Sequence, residues 1–441
     1  RETQIRLDME AVGTYSPTFE PTIKDLAKRE RELARAQKAW RLAYVDEQGK
    51  QLEPRMVVEK ETKTGGTYTA RDPSYSVVVR EQKEVDRLRE QLGLTPKSLQ
   101  RVREQHAANA LASKSRLETL LADAHDYAAE HAAEYSETVE AYVDAVLTGE
   151  ANVCPEIRQA CERYRRDLSN PAWEFRADPA NEIIAIIETT ICHQQCERLD
   201  ATPLRGEPFL LLPYHKFIVY NVMGFYLAGT RERRFKEALD FVPRKNVKTT
   251  FAAALAWALA LYERRSGAIV YEIGGTLQQA MRGFDFLRYN LRRLHITTTD
   301  DPEAGLRILD NNAKHSITGD VSDGAVEIHA LATPQDSLAA SIIIADELHT
   351  YKSAKPYQLM KDATKAYTNT LVIGISSGGD LAQGFCARRV EYCKKILSGT
   401  ITGPEADTIF AFIATAPTTE NGDVDYTDPL VMEACNPAWG Q

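Results

Sequence analysis

The residues best suited to chemistry form a polar loop at residues 244–250, which reads RKNVKTT. An apolar run predicted as a strand, Ala238 to Val242, precedes this loop, and a strongly apolar, alanine-rich helix follows it. Strand, tight loop and helix is the arrangement of a phosphate-binding loop. Backbone N–H groups at the helix N-terminus hold phosphates there, a lysine reaches the β/γ oxygens and a hydroxyl holds Mg²⁺. Lys248 and Thr249 are the candidates for the lysine and hydroxyl roles.

Two valines depart from the usual pattern G-x-x-x-x-G-K-[ST], because Val242 and Val247 stand where the glycines are expected. Glycine is favoured there since the backbone approaches the phosphates closely, often with φ > 0, and a β-branched residue adopts that conformation poorly. Either the loop adopts the required shape with strain at Val247, or its affinity for nucleotide is reduced. Taken alone, the loop also fits another interpretation, a basic loop that caps a buried helix.

A pair of carboxylates forms the second candidate site. The apolar run Ser341 to Ala345 is predicted as a strand, and it ends in Asp346 and Glu347. Phosphoryl-transfer ATPases use one carboxylate to hold the metal and another to orient the attacking water, which fits Asp346 and Glu347 respectively. An ordinary polar turn at a strand end is the alternative. The order of the motifs favours chemistry, because strands and helices alternate between the loop and the acidic pair.

A third motif follows the predicted strand Thr370 to Ile375. Ser376, Ser377 and Gly378 are small residues at the carboxyl end of this strand, where α/β sheets place their ligand crevice. By itself the stretch is an ordinary turn. In third place behind the other two motifs, it predicts a loop that contacts the γ-phosphate or the attacking water.

Composition bounds the class of protein. The chain has 441 residues, which predicts two or three domains, and its 43% hydrophobic and 27% charged residues are typical of a globular protein. Its longest apolar run, Phe251 to Tyr262, is too short to span a bilayer, so no membrane contact is expected. Net charge of −9 restricts any nucleic-acid contact to local basic patches. Seven cysteines fit a reducing cytoplasm, and their spacing indicates thiols rather than a zinc site.

The hydrophobic pattern divides the chain into regions. Residues 1–105 are charged and mostly helical in pattern, with a loop or hairpin at Gly49 to Ser76. Residues 106–207 continue as a helical connector that leads into the next domain. From residue 208 to 425, apolar strands and helices alternate, which predicts an α/β domain with a mainly parallel sheet.

Four stretches together resemble a known family: PFLLLPYHKFIV, VPRKNVKTT, IIIADELH and GISSGG. Their order and spacing are similar to those of the ATPase domain of terminase large subunits from tailed double-stranded-DNA bacteriophages. The likeness continues upstream through residues 154–176 and downstream through DPLVMEACNPAWG. It implies a P-loop ATPase domain of the RecA-like, additional-strand type. Near the N-terminus, residues 13–21 and 92–98 resemble the terminase small subunit.

The resemblance implies a role for each matching residue. Arg244 is expected to stabilise charge on the γ-phosphate, with Glu347 as the catalytic acid and Lys248 on the phosphates. His349 completes the DELH version of the acidic motif. Tyr214 and His215 stand where the family places an aromatic residue and glutamine for adenine recognition, and His215 departs from that pattern. The implied Mg²⁺ ligands are Thr249 and Asp346, and the implied ATP contacts are Tyr214, His215, Arg244, Lys245, Asn246, Val247, Lys248, Thr249, Thr250, Asp346, Ser376, Ser377 and Gly378.

Further assignments from the resemblance concern nucleotide sensing and a neighbouring subunit. Gln278 and Gln279 are implied sensors of nucleotide state. Arg282, Arg288 and Arg293 are equal candidates for the cation that a ring motor supplies to the next subunit. The implied assembly is a pentameric homo-oligomeric ring on the phage portal and procapsid, with a terminase small subunit or its fused equivalent, in the host cytoplasm.

The implied activity is ATP hydrolysis with Mg²⁺ that drives double-stranded DNA into the procapsid. Family members also cut DNA with a C-terminal nuclease, which this sequence is not expected to contain, and residues 426–441 are interpreted as the start of the linker to it. Four aspartates near the end are interpreted as loop charges: Asp407, Asp423, Asp425 and Asp428. Two alternatives stay open, a helicase-like DNA-dependent ATPase and a degenerate nucleotide-binding assembly scaffold.

Overall fold

The computed structural model of the chain describes residues 2–12, 19–43, 57–61, 67–94, 96–198, 200–298, 305–311, 314–321, 323–332, 334, 338–378, 384–418 and 423–439. The chain divides into two compact units, Arg1–Asn109 and Ala110–Gln441. Among the described residues, no helix combines the length and the apolar character needed to cross a membrane.

The first unit is built around a helix pair. Its elements are α1 (Glu2–Val12), α2 (Glu20–Leu42), β1 (Val57–Glu61), β2 (Thr67–Arg71) and α3 (Pro73–Gln91), followed by the start of α4 (Pro96–Thr148). Helices α2 and α3 pack through buried apolar side chains that include Ile23, Leu26 and Val85. Strands β1 and β2 pair antiparallel, which confirms the hairpin predicted within Gly49 to Ser76. The small-subunit-like residues 13–18 lie outside the described residues.

Helices of the second unit cover a sheet. Four come before the sheet or lead into it: the C-terminal part of α4, then α5 (Pro155–Leu168), α6 (Asp178–Thr190) and α7 (Pro213–Gly224). Tyr135 of α4 and Ile183 of α6 belong to the same buried core as the sheet strands. A two-stranded ribbon of β3 (Trp173–Phe175) and β4 (Phe225–Leu227) pairs antiparallel beside them.

The central sheet of this unit has nine strands. They are β5 (Glu237–Phe241), β6 (Ala268–Ile273), β7 (Thr297–Thr298), β8 (Leu306–Asp310), β9 (His315–Val321), β10 (Gly324–Leu331), β11 (Ile342–Ala345), β12 (Leu371–Ser376) and β13 (Ile409–Ile413). Their spatial order is β13-β5-β12-β11-β6-β10-β9-β8-β7. Neighbours from β13 to β10 pair in parallel, whereas β9 is antiparallel to both of its neighbours.

This order confirms the predicted fold class. Strand β12 lies between β5, which leads into the phosphate loop, and β11, which leads into the acidic pair. That insertion is the arrangement expected of the additional-strand type. Because β5, β11 and β12 are parallel, the three motifs that follow them emerge at one edge of the sheet.

Helix α8 (Lys248–Tyr262) lies at the centre of this packing. Every residue from Phe251 to Leu261 is buried, and the helix packs against α6, α9 (Leu277–Arg293) and strands β6, β11 and β12. A helix that is apolar on all sides is stable only when it is surrounded, which explains its composition. Trp257 donates a 3.0 Å hydrogen bond from Nε1 to the Thr190 hydroxyl of α6. The remaining helices are α10 (Lys355–Ala363), α11 (Phe385–Leu397), α12 (Pro404–Asp407) and α13 (Pro429–Cys435).

Two features of the second unit do not follow from local sequence preference. Helix α7 ends at Gly224, because Phe225 starts strand β4. Strand β9 was not predicted, since its sequence HSITGDV mixes polar and apolar residues without clear alternation. Its hydrogen bonds to β8 and β10 supply the stabilisation that local preference lacks.

Gly224 provides a test of this packing. A Cβ added at Gly224 would lie 2.5 Å from Cε2 of Phe175, whose ring packs against Phe225 and Tyr220 and has little room to move. We expect Gly224→Ala to destabilise the second unit by about 1–3 kcal/mol through overpacking, measured by chemical denaturation. Gly378→Ala is the matched control, since no atom of the described residues lies within 4 Å of its added Cβ. Equal stability of both variants would contradict this account of the β3–β4 contact.

Candidate active site

The phosphate loop joins β5 to α8 and carries two residues in the left-handed region. Lys245 has φ 73°, and Val247 has φ 53° and ψ 17°. For a β-branched residue this conformation is an outlier, and such residues cost about 1–3 kcal/mol and cluster at functional sites. The loop therefore has the positive-φ backbone expected of a phosphate loop without glycine at Val247. Valine instead of glycine at position 247 was predicted either to strain the loop or to reduce nucleotide affinity, and the structure has the strained backbone.

The basic and hydroxyl side chains of the loop surround the start of α8. Arg244 and Lys245 are exposed, and Thr249 and Thr250 are half-buried in the first helical turn. Lys248 Nζ donates a 2.8 Å hydrogen bond to the Pro243 carbonyl oxygen. Burial lowers the pKa of Lys248, and Asp240, Glu347 and Asp346 oppose that effect. The helix N-terminus and these cations together make this end of α8 suited to an anion.

The acidic pair follows β11 directly. Asp346 is buried, its N–H donates to the Ile273 carbonyl oxygen (2.8 Å), and its Oδ1 accepts from the Glu347 N–H (2.8 Å). Burial first, and then the neighbouring Glu347, raise the pKa of Asp346 to about 6. Glu347 itself has φ 52°, a third non-glycine residue in the left-handed region at this site.

Thr249 and Asp346, the predicted metal ligands, line the same small cavity between α8, α9 and the sheet. Glu272, Gln279 and Gly283 complete much of its lining. Mg²⁺ prefers oxygen ligands and keeps several waters, so one hydroxyl, one carboxylate and substrate phosphates form a suitable set. The residues present therefore fit the ion that the sequence predicts.

His349 links the acidic pair to the third motif. Its Nδ1 lies 3.2 Å from Glu347 Oε2 and 3.1 Å from Ser376 Oγ, and its backbone N–H donates to Ser376 Oγ (3.1 Å). Ser376 Oγ in turn donates to the Ser377 carbonyl oxygen (3.1 Å). The structure thus brings together Glu347 and the Ser376–Ser377 loop through a histidine that the sequence marked only as part of the DELH pattern. Gly379, the last residue of GISSGG, lies outside the described residues.

Tyr214 and His215 lie behind the phosphate loop. Both are buried, and the Tyr214 hydroxyl donates to the Asn246 carbonyl oxygen (3.0 Å). The His215 ring stacks on Phe251 of α8 at 4.3 Å between centroids, and burial lowers its pKa to about 3, so it is neutral at physiological pH. In this conformation the two side chains support the loop and α8 from inside. Their role in adenine recognition stays a prediction.

Two buried carboxylates near the site were missed by sequence reasoning. Burial raises the pKa of Asp240, on β5, to about 7, with Lys248 opposing. Burial, together with Asp346, raises the pKa of Glu272, on β6, to about 8. Neither Glu272 oxygen has a hydrogen-bond partner among the described residues, and Gly283 of α9 makes room for them. The available signal was an acidic residue next to the last position of each strand, Asp240 in EALDF and Glu272 in AIVYEI.

The residues predicted as nucleotide sensors and as cations for a neighbouring subunit have different surroundings in the structure. Gln279 forms a capping box with Thr276 at the start of α9, so its side chain has a helix-capping role, whereas Gln278 is exposed. Arg288 is paired with Asp285 and Asp310. Arg282 is exposed, and its charge partly opposes the burial that raises the pKa of Asp346. These contacts distinguish Arg282 from Arg288 among the candidate cations.

Several solved structures are similar to part of the chain. The HK97 bacteriophage large terminase matches over 60% of this chain and 49% of its own, with 18% identity and a TM-score of 0.44. The large terminase ATPase domain of Thermus phage P74-26 matches over 35% and 62%, with 12% identity and a TM-score of 0.27. The large terminase of another thermophilic bacteriophage matches over 41% and 40%, with 11% identity and a TM-score of 0.28. The chain spans about half the length of the HK97 protein.

A family model identifies the central part of the second unit. The model of the terminase large subunit ATPase domain matches residues 213–395. No curated protein matches the chain. The matched range contains the phosphate loop, the acidic pair and the third motif, which the sheet brings to one edge. Residues 213–395 therefore match the terminase large subunit ATPase domain over the part of the chain that carries the three motifs.

Proposed function

We propose that this chain hydrolyses ATP with Mg²⁺ and uses the energy to move double-stranded DNA into a phage procapsid. The observation that supports the proposal best is the convergence of three motifs at the carboxyl edge of parallel strands, with His349 between Glu347 and Ser376. Catalysis of phosphoryl transfer depends mainly on such positioning and on electrostatic stabilisation.

Each loop residue has a role in this proposal. When nucleotide binds, Lys248 exchanges its hydrogen bond to the Pro243 carbonyl oxygen for contacts with the β/γ-phosphates. Arg244 stabilises charge on the γ-phosphate. Thr249 and Asp346 hold Mg²⁺, which neutralises phosphate charge when it is bound. Glu347 orients the attacking water, and His349, whose Nδ1 lies 3.2 Å from Glu347 Oε2, is the side chain beside its carboxylate.

The third motif is proposed to transmit the result of hydrolysis. Ser376 is buried at the end of β12 and bonded to His349, so a change at Glu347 reaches it through one side chain. Release of the γ-phosphate then shifts the Ser376–Ser377 loop, in the manner of other phosphate-ordered switches. The proposed partners are DNA, the phage portal and procapsid, and further copies of the chain in a pentameric ring in the host cytoplasm. Arg282 and Arg293, which are both exposed, are the proposed candidates for the cation that reaches the neighbouring subunit, and residues 1–105 are proposed to serve as the fused small-subunit equivalent.

Glu347→Gln tests the catalytic role of the acidic pair. We expect the substitution to lower kcat for ATP hydrolysis by about 10²–10⁴-fold, because a neutral amide cannot polarise the attacking water. MgATP binding should remain, since Lys248 and Asp346 are unchanged. The measurement is steady-state hydrolysis with and without double-stranded DNA and portal.

Glu130→Gln, on the exposed face of α4, is the matched control and should leave hydrolysis unchanged. Full activity of Glu347→Gln would remove Glu347 from the mechanism. Nucleotide binding without hydrolysis in the wild type would instead favour the assembly-scaffold alternative. A helicase needs a second nucleotide-binding lobe, whereas the described strands of the second unit form one nine-stranded sheet and the β3–β4 ribbon.

The buried Glu272 gives a pH prediction for the nucleotide-free protein. Its pKa is about 8 when folded, against an ordinary value of 4.5, so the folded state holds a proton that the unfolded state has lost. Unfolding free energy therefore falls as pH rises from about 4.5 to about 8 and is flat beyond that range. We expect Glu272→Gln, which is neutral at every pH, to remove this part of the pH dependence. Wild type and variant should be similar near pH 5, with the variant more stable at pH 8.

Thermal unfolding at a series of pH values, without Mg²⁺ or nucleotide, is the measurement. The exposed Glu130→Gln substitution should reproduce the wild-type profile. A Glu272→Gln profile parallel to that of the wild type would show that Glu272 is ionised in the folded protein at neutral pH.

A further inference from the structure

Asn246, in the middle of the phosphate loop, turns its side chain away from solvent. It is 2% exposed and lies between the two left-handed residues Lys245 and Val247. Its Oδ1 accepts a 3.1 Å hydrogen bond from the Ala438 N–H, and its Nδ2 donates to Asn436 Oδ1 at 3.0 Å. Both ends of the amide are therefore bonded to a segment about 190 positions later in the chain, and Nδ2 also donates within the loop to the carbonyl oxygens of Pro243 (3.2 Å) and Arg244 (3.4 Å). This side chain is a support of the loop rather than a contact for nucleotide.

The segment that holds Asn246 is itself anchored, and we call residues 429–439 the C-terminal clamp. Asp428 caps α13 by accepting from the Leu430 N–H (2.8 Å), and Asn436 Nδ2 donates to the Met432 carbonyl oxygen (2.7 Å). The Cys154 N–H donates to the Ala434 carbonyl oxygen (3.0 Å) just before α5. The clamp is thus fixed to the α/β unit at a point away from the loop.

Asn246 is held from two directions by these contacts. Tyr214 donates to its backbone oxygen from the core, and the clamp holds its side chain. A loop with glycine at position 247 would adopt the left-handed shape without steric cost, whereas valine resists it. The shape of this loop is therefore supported by its own hydrogen bonds and, in addition, by those from α7 and the clamp, which a glycine-containing loop would need less.

We propose that Asn246 and Asn436 are positioning residues that hold the phosphate loop in its nucleotide-binding shape, which makes the C-terminal clamp part of the ATP site. The inference rests on the proposed function, because it requires that the loop binds ATP. By linkage, a clamp that favours the bound shape of the loop is in turn stabilised by the nucleotide. The clamp thereby connects the nucleotide site with the chain that follows α13.

The test is a cycle of Asn436→Ala and Val247→Gly in the full chain, with Kd for MgATP and steady-state hydrolysis as readouts. We expect Asn436→Ala to weaken MgATP binding and raise KM by about tenfold, within the usual range of coupling between sites, with kcat nearly unchanged. Val247→Gly in the same chain should restore binding to near the wild-type value, since glycine removes the need for the clamp. Because Val247→Gly also relieves backbone strain and so adds stability, the unfolding free energy of each variant is measured by chemical denaturation, and Kd is compared at concentrations where every variant is folded.

Asn170→Ala is the matched control, because the Asn170 Oδ1 likewise accepts a hydrogen bond, from the Ala172 N–H, but Asn170 lies between α5 and β3. It should leave Kd and KM unchanged. Unaltered MgATP binding by Asn436→Ala, or failure of Val247→Gly to restore it, would overturn the inference. If the wild type and Asn436→Ala bind MgATP equally well, the role of the clamp is rejected and the proposed function stands. If the wild type binds no MgATP, the proposed function is rejected as well.

Hydrogen–deuterium exchange on the wild type keeps the inference testable if Asn436→Ala does not fold. MgATP should slow amide exchange in residues 429–439, including the Ala438 N–H that bonds Asn246. Exchange in the clamp that is the same with and without bound MgATP would overturn the coupling.

Discussion

The active site depends on the burial of helix α8 between the sheet and the helices α6 and α9. Alanines along this helix let it approach β6, β11 and β12 closely, and its residues from Phe251 to Leu261 have almost no exposed surface. A protein interior packed this tightly leaves the helix little freedom to shift. The N-terminus of α8 is therefore fixed relative to β5, and the loop between them must span a set gap. Val247 is tolerated in the left-handed region because strand β5 before the loop and helix α8 after it are both fixed in place.

The contacts around the loop show how that strain is distributed. Tyr214 from α7 and Asn436 from the C-terminal clamp both bond Asn246, and Lys248 returns to the Pro243 carbonyl oxygen. These hydrogen bonds come from segments far apart in the sequence. A loop of this kind is preorganised by its surroundings rather than by glycine, and each support is a point at which another part of the protein can influence nucleotide binding.

Buried carboxyl groups are the second feature of the site. Asp240 and Glu272 lie inside apolar strands, and burial raises the pKa of both carboxyls toward neutrality. Uncompensated buried carboxylates reduce stability, and perturbed groups of this kind cluster at functional sites. Asp240 lies near Lys248 and Glu272 near Asp346, so the free-energy cost of burying these carboxyls falls next to the residues proposed to bind phosphate and Mg²⁺. The same region thus has both backbone strain and buried carboxyl groups, as expected where function competes with stability.

The sequence by itself determined the α/β class, the order of the three motifs and the residues of the phosphate loop and acidic pair. Those features are local: an apolar run predicts a buried strand, and polar residues at its carboxyl end predict a site. The strand order agreed with the RecA-like expectation because parallel strands with short crossovers have few ways to assemble.

The tertiary structure alone decided what surrounds these motifs. The burial of Tyr214 and His215, the bridge from His349 to Ser376 and the bonds of Asn246 to Asn436 and Ala438 all join residues whose spacing carries no periodic signal. Strand β9 and the end of α7 at Gly224 were likewise set by neighbours, since pairing and ring packing there outweigh local preference. Local patterns specify which groups are available for chemistry, whereas long-range packing specifies how each group is held.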